Sequence, residues 1–131
     1  MKDNFGREIN YLRISVTDRC NLRCRYCMPE SGFQNIIPKE QILSFEEIVR
    51  LAQAAAKMGI SKVRLTGGEP LVRKADIIKL CEKHYDCEFH AFTNGTLVDD
   101  AFCEEMQRVG NLSLSISLEG FEEANDGRRG G

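Results

Sequence analysis

The segment Cys20-Asn21-Leu22-Arg23-Cys24-Arg25-Tyr26-Cys27 places three thiols within eight residues, in the spacing C-x3-C-x2-C. Thiolates this close together can converge on one soft metal centre. A structural zinc site normally takes four ligands, often from two C-x2-C knuckles, and the sequence offers no second knuckle or nearby histidine. A cubane iron–sulfur cluster usually takes four cysteines, so three would leave one iron open to a small molecule. The alternative is three structural or free thiols in a surface loop.

Length and composition indicate one soluble domain. The chain has 131 residues, of which 42% are apolar and 29% charged, and its net charge is −2. This charge gives no electrostatic reason to expect nucleic acid or an anionic membrane as a partner. No apolar run approaches the roughly 18 residues of a membrane span, and the polar start does not resemble a secretory signal. Six cysteines in such a chain favour reduced thiols or metal over disulfides, and therefore the cytoplasm.

Hydrophobic periodicity predicts four strands that alternate with three helices. The first helix should begin at a capping box of Ser44 and Glu47, end at Gly59, and bury one face. No element is predicted for the polar stretch 119–131. The strands are expected at 11–17, 60–66, 88–93 and 112–118, and the later helices near 74–84 and from Asp99 or Asp100 to Gly110. The buried face of the first helix is expected to carry Ile48, Leu51, Ala52, Ala55 and Met58.

The order of these elements predicts an α/β fold of parallel βα repeats. Repeated βαβ connections imply parallel strands with right-handed crossovers. Strands covered on both faces are usually apolar throughout, whereas these alternate apolar and polar side chains. A partial TIM-like barrel fits the alternation, because its strands turn apolar sides to the helices and polar sides to a lumen. The lumen face is expected to carry Arg64, Thr66, Ser115 and Ser117.

Four short motifs follow the predicted strands, one after each strand. In a βα barrel the active site lies at this carboxyl edge. The glycine pair Gly67-Gly68 is more glycine than packing alone requires and would let the backbone approach a ligand, although a plain tight turn would also use it. Asn94 and Ser117 can contact a ligand or satisfy nearby backbone groups. The motifs are the cysteine segment, Gly67-Gly68-Glu69-Pro70, Thr93-Asn94-Gly95 and Ser117-Leu118-Glu119.

The cysteine spacing, with an aromatic residue before the third cysteine, resembles the radical S-adenosylmethionine (SAM) superfamily. The resemblance implies that Cys20, Cys24 and Cys27 hold a [4Fe-4S] cluster whose open iron binds the amino and carboxylate groups of SAM. It also implies that the reduced cluster cleaves SAM to methionine and a deoxyadenosyl radical, which takes a hydrogen from the substrate. Gly67-Gly68-Glu69 is similar to the motif that contacts the SAM amino group, and Tyr26 corresponds to a residue near its adenine.

A closer resemblance, over 5–7, 11–29 and 64–71, is to the GTP cyclase family of molybdenum cofactor synthesis. It implies Arg7, Arg64 and Thr93 as GTP contacts, and Tyr26, Gly68 and Ser117 as SAM contacts. Arginine forks match phosphate oxygens, although Arg64 can also form an ion pair with Glu69 or Glu119. The resemblance further implies an electron donor such as flavodoxin or ferredoxin.

The resemblance is expected to thin after Thr93. There the sequence looks more like other radical SAM enzymes, including peptide-modifying ones, so an oxidoreductase or maturase stays as a second interpretation and a non-catalytic iron–sulfur module as a third. Four strands do not close a barrel. Residues 1–131 are therefore expected to be the N-terminal half of a radical SAM core, either lacking its C-terminal half or forming a homodimer. Cys81, Cys87 and Cys103 are interpreted as core or incidental, and Arg128-Arg129 as a solvated loop.

Overall fold

The computed structural model describes residues 1–27 and 36–130, which form a four-stranded parallel sheet with helices between the strands. The strand order is β1-β2-β3-β4, so each strand lies beside its neighbour in sequence. The α/β fold class and the partial TIM-like barrel are therefore confirmed. Pro29 and the Met28-Pro29 part of the resemblance lie outside the described residues. The elements are β1 Tyr11–Thr17, α1 Phe45–Lys57, β2 Lys62–Gly67, α2 Lys74–Lys83, β3 Glu88–Thr93, α3 Asp100–Val109, β4 Leu112–Ile116 and α4 Glu122–Arg129, with short 3-10 turns at Lys39–Gln41 and Pro70–Arg73.

The core lies between one face of the sheet and the helices α1, α2 and α3. Leu65 of β2 and Ala91 of β3 are fully buried at its centre, and Phe89 is nearly so. The other sheet face carries polar and aromatic side chains that stay partly exposed, as the alternation within the strands predicts. Among the described residues, no helix has both the length and the apolar character that a membrane crossing requires.

Local signals set the helix ends as the sequence predicts. The hydroxyl of Ser44 accepts from the Glu47 N–H at 3.2 Å, and the Glu47 carboxylate accepts from the Ser44 N–H at 2.7 Å. Asp99, rather than Asp100, caps α3. Gly110 ends α3 in the left-handed conformation that glycine adopts at little cost.

The predicted inner face of α1 is wrong at two positions. Ile48, Ala52 and Ala55 are buried, but Leu51 and Met58 are 44% and 53% exposed. Leu51 lies at the margin of the apolar stripe. Met58 is the C-cap of α1, with a ψ of 2°, and lies beyond the last buried residue of the helix, Ala55.

The end of the chain also differs from its prediction. β4 stops at Ile116, and both Ile116 and Leu118 are mostly exposed. The stretch for which no element was predicted contains α4, none of whose residues is buried. Periodicity could not find this helix because it has no apolar stripe. The sequence indicated this helix only through its charges. Glu122 and Glu123 lie in the first turn and arginines in the last, an order that the helix dipole favours.

The pairing of β1 with β2 is interrupted by a bulge of one residue. Ser15 pairs with Thr66, but Thr17 pairs with Gly67, so Val16 is an extra residue on β1. A bulge of this kind breaks the two-residue alternation and re-aims the side chains that follow. Val16 and Thr17 are consequently both buried, just before the cysteine segment begins.

The burial of Cys81 yields a first prediction. Burial raises the pKa of this thiol to about 12, whereas Cys103 is exposed on α3. Only the thiolate is nucleophilic, so iodoacetamide at mildly alkaline pH should modify Cys103 in the folded protein and leave Cys81 untouched until the chain unfolds. Peptide mass mapping after timed labelling measures both rates, and equal rates would show that Cys81 is not in the core.

Candidate active site at the carboxyl edge of the sheet

A cavity of about 800 Å³ lies at the carboxyl ends of the strands. Its volume is in the range of small-molecule sites, about 300–1,000 Å³. The cysteine segment and the loops after β2, β3 and β4 all contribute to its wall, while Arg7 and Arg64 lie outside it. The predicted site residues on the wall are Cys20, Cys24, Tyr26, Cys27, Gly67, Gly68, Glu69, Thr93, Asn94 and Ser117.

Glu69 joins the ends of β2 and β3. Its side chain is buried, at 1% exposure. One carboxylate oxygen accepts from the Leu71 N–H at 2.9 Å and from the Thr93 hydroxyl at 2.7 Å, and the other accepts from the Asn94 N–H at 2.7 Å. A buried carboxylate is tolerated only when it is hydrogen-bonded in this way. Glu69 therefore supports the cavity wall, and its predicted contact with the SAM amino group stays a prediction.

The two glycines before Glu69 pack directly on the backbone that follows β1. A Cβ on Gly67 would lie 2.2 Å from the Thr17 oxygen, and one on Gly68 would lie 2.2 Å from the Arg19 oxygen. Gly67 also has a φ of +142°. The Gly68 and Glu69 N–H groups donate to the Thr17 and Arg19 carbonyls at 2.9 and 2.7 Å. The expectation that the glycine pair is too rich for packing alone is therefore wrong, because packing by itself excludes a side chain at both positions.

The three cysteines of the segment differ in exposure although all line the cavity. Cys24 is buried, Cys20 is intermediate and Cys27 is exposed. The Cys20 sulfur accepts from the Leu22 N–H at 3.4 Å and lies 4.0 Å from the Asn94 side-chain nitrogen. The Cys27 N–H donates to the Cys24 carbonyl at 3.0 Å, which forms a turn between them. The segment is thus held by local hydrogen bonds, and all three of its thiols line the cavity.

The donor set that the cavity offers is three thiols, those of Cys20, Cys24 and Cys27. Within 1–27 and 36–130, no three His, Cys, Asp or Glu side chains are close enough together to hold one metal ion. Thiolates are the ligands that iron–sulfur clusters take. The residues therefore fit a cluster on the three thiols.

The far end of the cysteine loop is held close to β1. The Asp18 carboxylate accepts from the Ile37 N–H at 2.8 Å, and the Arg19 guanidinium donates to the Ile37 carbonyl at 2.9 Å. These two residues directly precede Cys20, so the loop is closed at its base. The base then presents Ile37 to the cavity.

A polar cluster that the sequence did not predict contacts the cysteine segment from α4. The Tyr26 hydroxyl donates to the Glu119 carboxylate at 2.9 Å, and Arg128 and Arg129 pair with the same carboxylate. The hydrogen bond from Arg129, followed by that from Tyr26, lowers the pKa of Glu119. Arg128-Arg129 is therefore not the solvated loop that was expected. The opposite charges of Glu119 and the arginines were the only signal in the sequence.

Two of the predicted GTP contacts have other partners here. Arg7 is exposed on the stretch before β1, residues 1–10, which is called the N-terminal arm below, and it pairs with Asp3 at 2.6 Å. Thr93 is buried in the cavity wall, where its hydroxyl donates to Glu69 and accepts from the Gly95 N–H. Both assignments stay predictions, and the structure brings only Thr93 to the cavity.

Arg64 lies on the lumen face, as predicted, without a carboxylate partner among the described residues. Its guanidinium stacks on Tyr11 and Phe92, with 5.0 and 5.7 Å to the ring centroids. The predicted alternative, an ion pair with Glu69 or Glu119, is absent from the described residues, because each of those carboxylates is bound by other groups.

Arg13 on β1 was not among the site residues predicted from the sequence. It pairs in register with Arg64 and lines the cavity, whereas Arg7 does not. Its alternation with Leu12 and Ile14 already placed it on the polar face of β1. That position, rather than the resemblance, was the signal that could have identified it.

Comparison with known proteins identifies the family. The Radical SAM superfamily description matches residues 14–130. Among solved structures, that of Streptococcus suis SuiB bound to S-adenosylmethionine superimposes with a TM-score of 0.69 at 23% identity, covering 92% of this chain and 26% of that one. The likeness to SuiB shows a common fold.

Curated relatives named GTP 3',8-cyclase are more similar in sequence. The protein from Desulforamulus reducens is 61% identical over 123 residues, covering 91% of this chain and 37% of the relative. The protein from Thermodesulfovibrio yellowstonii is 45% identical over 127 residues, covering 94% and 39%. The similarity thus extends well beyond Thr93, where it was expected to thin. The chain spans less than two-fifths of the length of these relatives.

The Glu69 hydrogen bonds lead to a second prediction. In Glu69→Gln, the new NH₂ group faces either the Asn94 N–H or both the Leu71 N–H and the Thr93 hydroxyl, so at least one buried donor loses its acceptor. Unfolding free energy, measured by urea denaturation, should fall by about 2–3 kcal/mol. Glu104→Gln, at an exposed carboxylate, is the matched control and should change it by less than about 0.5 kcal/mol. Equal effects would contradict a supporting role for Glu69.

Proposed function

We propose that this chain, which belongs to the radical SAM superfamily, holds a [4Fe-4S] cluster on Cys20, Cys24 and Cys27. The observation that carries the proposal is the meeting of motifs from all four strand ends on one cavity, with the three thiols on its wall. The cluster would leave one iron free for SAM. A reducing compartment such as the cytoplasm keeps these thiols available.

SAM would bind beside the thiols, along the loops after β2, β3 and β4. Gly67 and Gly68 line the cavity, and their backbone carbonyls would accept hydrogen bonds from its ammonium group. Asn94 and Ser117 would provide polar groups for its ribose or carboxylate. Tyr26 presents an aromatic ring at the cavity. When bound and reduced, the cluster supplies the electron that cleaves SAM to methionine and a deoxyadenosyl radical. The residues of this chain orient SAM and shield it from water.

The finer proposal is GTP 3',8-cyclase chemistry in molybdenum cofactor synthesis, carried out by the longer protein that such relatives represent. It is supported by identities of 45–61% to relatives of that name. It is also supported by Arg13, on the cavity wall, and by Arg64, its register partner on the same sheet face just outside the cavity, neither of which has a carboxylate partner in the described residues. Thr93 and Arg7 remain further candidates for GTP contacts. A flavodoxin or ferredoxin would supply the electron.

One experiment separates the candidate functions. The anaerobically reconstituted protein is incubated with SAM, dithionite and GTP, and the products are separated by chromatography. Deoxyadenosine together with loss of GTP supports the cyclase. Deoxyadenosine without loss of GTP supports a radical SAM enzyme acting on another substrate, such as an oxidoreductase or maturase. Full cluster loading without SAM cleavage supports a non-catalytic iron–sulfur module.

The cluster assignment is tested by removing one thiol. Cys24→Ala should lose most of its iron and sulfide and the brown absorbance of the cluster, because the remaining two thiols cannot hold it. Cys103→Ala, which removes an exposed thiol on α3, is the control and should load like the parent protein. Iron and sulfide analysis after reconstitution gives the comparison. Equal loading of both variants would mean that the cluster is not held here.

The arginine assignment is tested by GTP binding. Arg13→Ala and Arg64→Ala should each weaken GTP binding about tenfold, the loss of one charge-assisted contact to phosphate, and leave SAM cleavage intact. Arg7→Ala tests whether GTP contacts the N-terminal arm rather than the lumen face of the sheet. Arg50→Ala on α1 is a control for loss of a surface charge. Calorimetric titration with GTP measures all four. A loss confined to Arg7→Ala would reverse the assignment in favour of the arm.

A further inference from the structure

We propose that Glu119 is a positioning residue that locks the cysteine segment onto α4 before any cluster is bound. The proposal rests on the function proposed above, because the segment it positions is the one assigned to the cluster. The group comprises Glu119, Tyr26, Arg128 and Arg129, and is called the Glu119 latch below. Tyr26 and Arg129 also line the cavity proposed for the cluster and SAM, whereas Glu119 and Arg128 do not.

The carboxylate of Glu119 is the centre of the latch. One of its oxygens accepts from the Tyr26 hydroxyl at 2.9 Å and from the Arg129 guanidinium at 2.7 Å. The other lies 3.2 Å from Arg128 Nε. Glu119 thus connects the aromatic residue between two cysteines to the last turn of α4.

Two further contacts join the same elements. The Arg25 N–H donates to the Arg128 carbonyl at 2.9 Å, which ties the backbone of the segment to the helix. The Tyr26 ring lies against both guanidiniums, at 5.1 Å from that of Arg128 and 5.7 Å from that of Arg129. The segment between Cys24 and Cys27 is therefore held through its backbone and through its one aromatic side chain.

The latch is important because core packing does not hold α4. No residue of α4 is buried, so its attachment depends on polar contacts. Exposed ion pairs are usually worth little, but the side chains of Arg129 and Glu119 are only 11% and 22% exposed, which reduces screening of their bond. Arg128 is 59% exposed and contributes less to the ion pair. Loss of the Glu119 charge should therefore release the helix and the segment together.

Pre-ordering the segment has a functional consequence. A segment fixed in advance does not lose its conformational freedom when the cluster binds, so binding is tighter. The base of the loop is already closed by Asp18 and Arg19. The Glu119 latch fixes the part of the cysteine segment that carries Cys24 and Cys27. The contacts of Asp18 and Arg19 at the base of the loop do not involve this part.

Amide hydrogen exchange of the full chain without cluster is the first test. In Glu119→Gln, exchange of the peptide containing the Arg25 and Cys27 N–H groups should be about fivefold faster, the effect of losing one partly shielded charge-assisted bond. Exchange of peptides from β3 should not change. Glu123→Gln, at an exposed carboxylate in the first turn of α4, is the matched control and should behave like the parent chain. Unchanged exchange in Glu119→Gln, or equal acceleration in β3, would overturn the proposal.

A double-mutant cycle with Tyr26→Phe tests the link itself. Because both substitutions break the same bond, their effects on segment exchange should be clearly less than additive. Full additivity would mean that Glu119 acts on the segment by another route, and would also overturn the proposal.

Cluster retention gives a readout that general stability does not move. In the reconstituted protein, a chelator should bleach the cluster of Glu119→Gln about fivefold faster than that of the parent, while the urea midpoint stays the same. Equal bleaching, or faster bleaching with a matching fall in the midpoint, would contradict positioning. Failure of the parent chain to load iron would instead contradict the proposed function. The exchange experiment on the cluster-free chain would still test whether Glu119 positions the segment.

Discussion

The arrangement of the cavity depends on one buried carboxylate. A charged group taken out of water must be fully hydrogen-bonded, and Glu69 meets this requirement with donors from its own loop and from the end of β3. Because these donors come from two strands, the carboxylate fixes how the two strand ends sit relative to each other. Glu69 therefore also fixes the positions of residues that would contact SAM, such as Asn94, whose N–H it binds.

The glycines beside Glu69 extend the same constraint to β1. A side chain at either glycine would collide with the Thr17 or Arg19 carbonyl. Because both side chains are missing, the backbone at the end of β2 approaches these carbonyls to hydrogen-bonding distance. The cysteine segment therefore begins at a place set by backbone contacts rather than by side-chain packing. Three neighbouring strands are in this way joined at one edge, and the cavity follows from that junction.

Much of this could be predicted from the sequence, because the signals were local or periodic. The strand alternation predicted the sheet and its polar face, and Ser44 and Gly110 marked helix ends. The cysteine spacing and the strand-end motifs predicted which residues share the cavity. These signals need only a few neighbouring residues, so they are visible without the fold.

The missed features depend on contacts between distant parts of the chain. Helix α4 has no apolar stripe, and its arginines gain a role only when Glu119 and Tyr26 are brought beside them. Arg7 was selected by resemblance but lies away from the cavity, whereas Arg13, whose alternation with Leu12 and Ile14 marks the polar face of β1, lines it. The extra residue at Val16 is another feature that only the pairing of two strands shows. It determines which side chains face the core where the chain leaves β1. Deleting Val16 would restore regular alternation along β1, so that one inward side chain, that of Thr17, would precede the cysteine segment instead of two, whereas a deletion in the N-terminal arm would leave the register of the sheet unchanged.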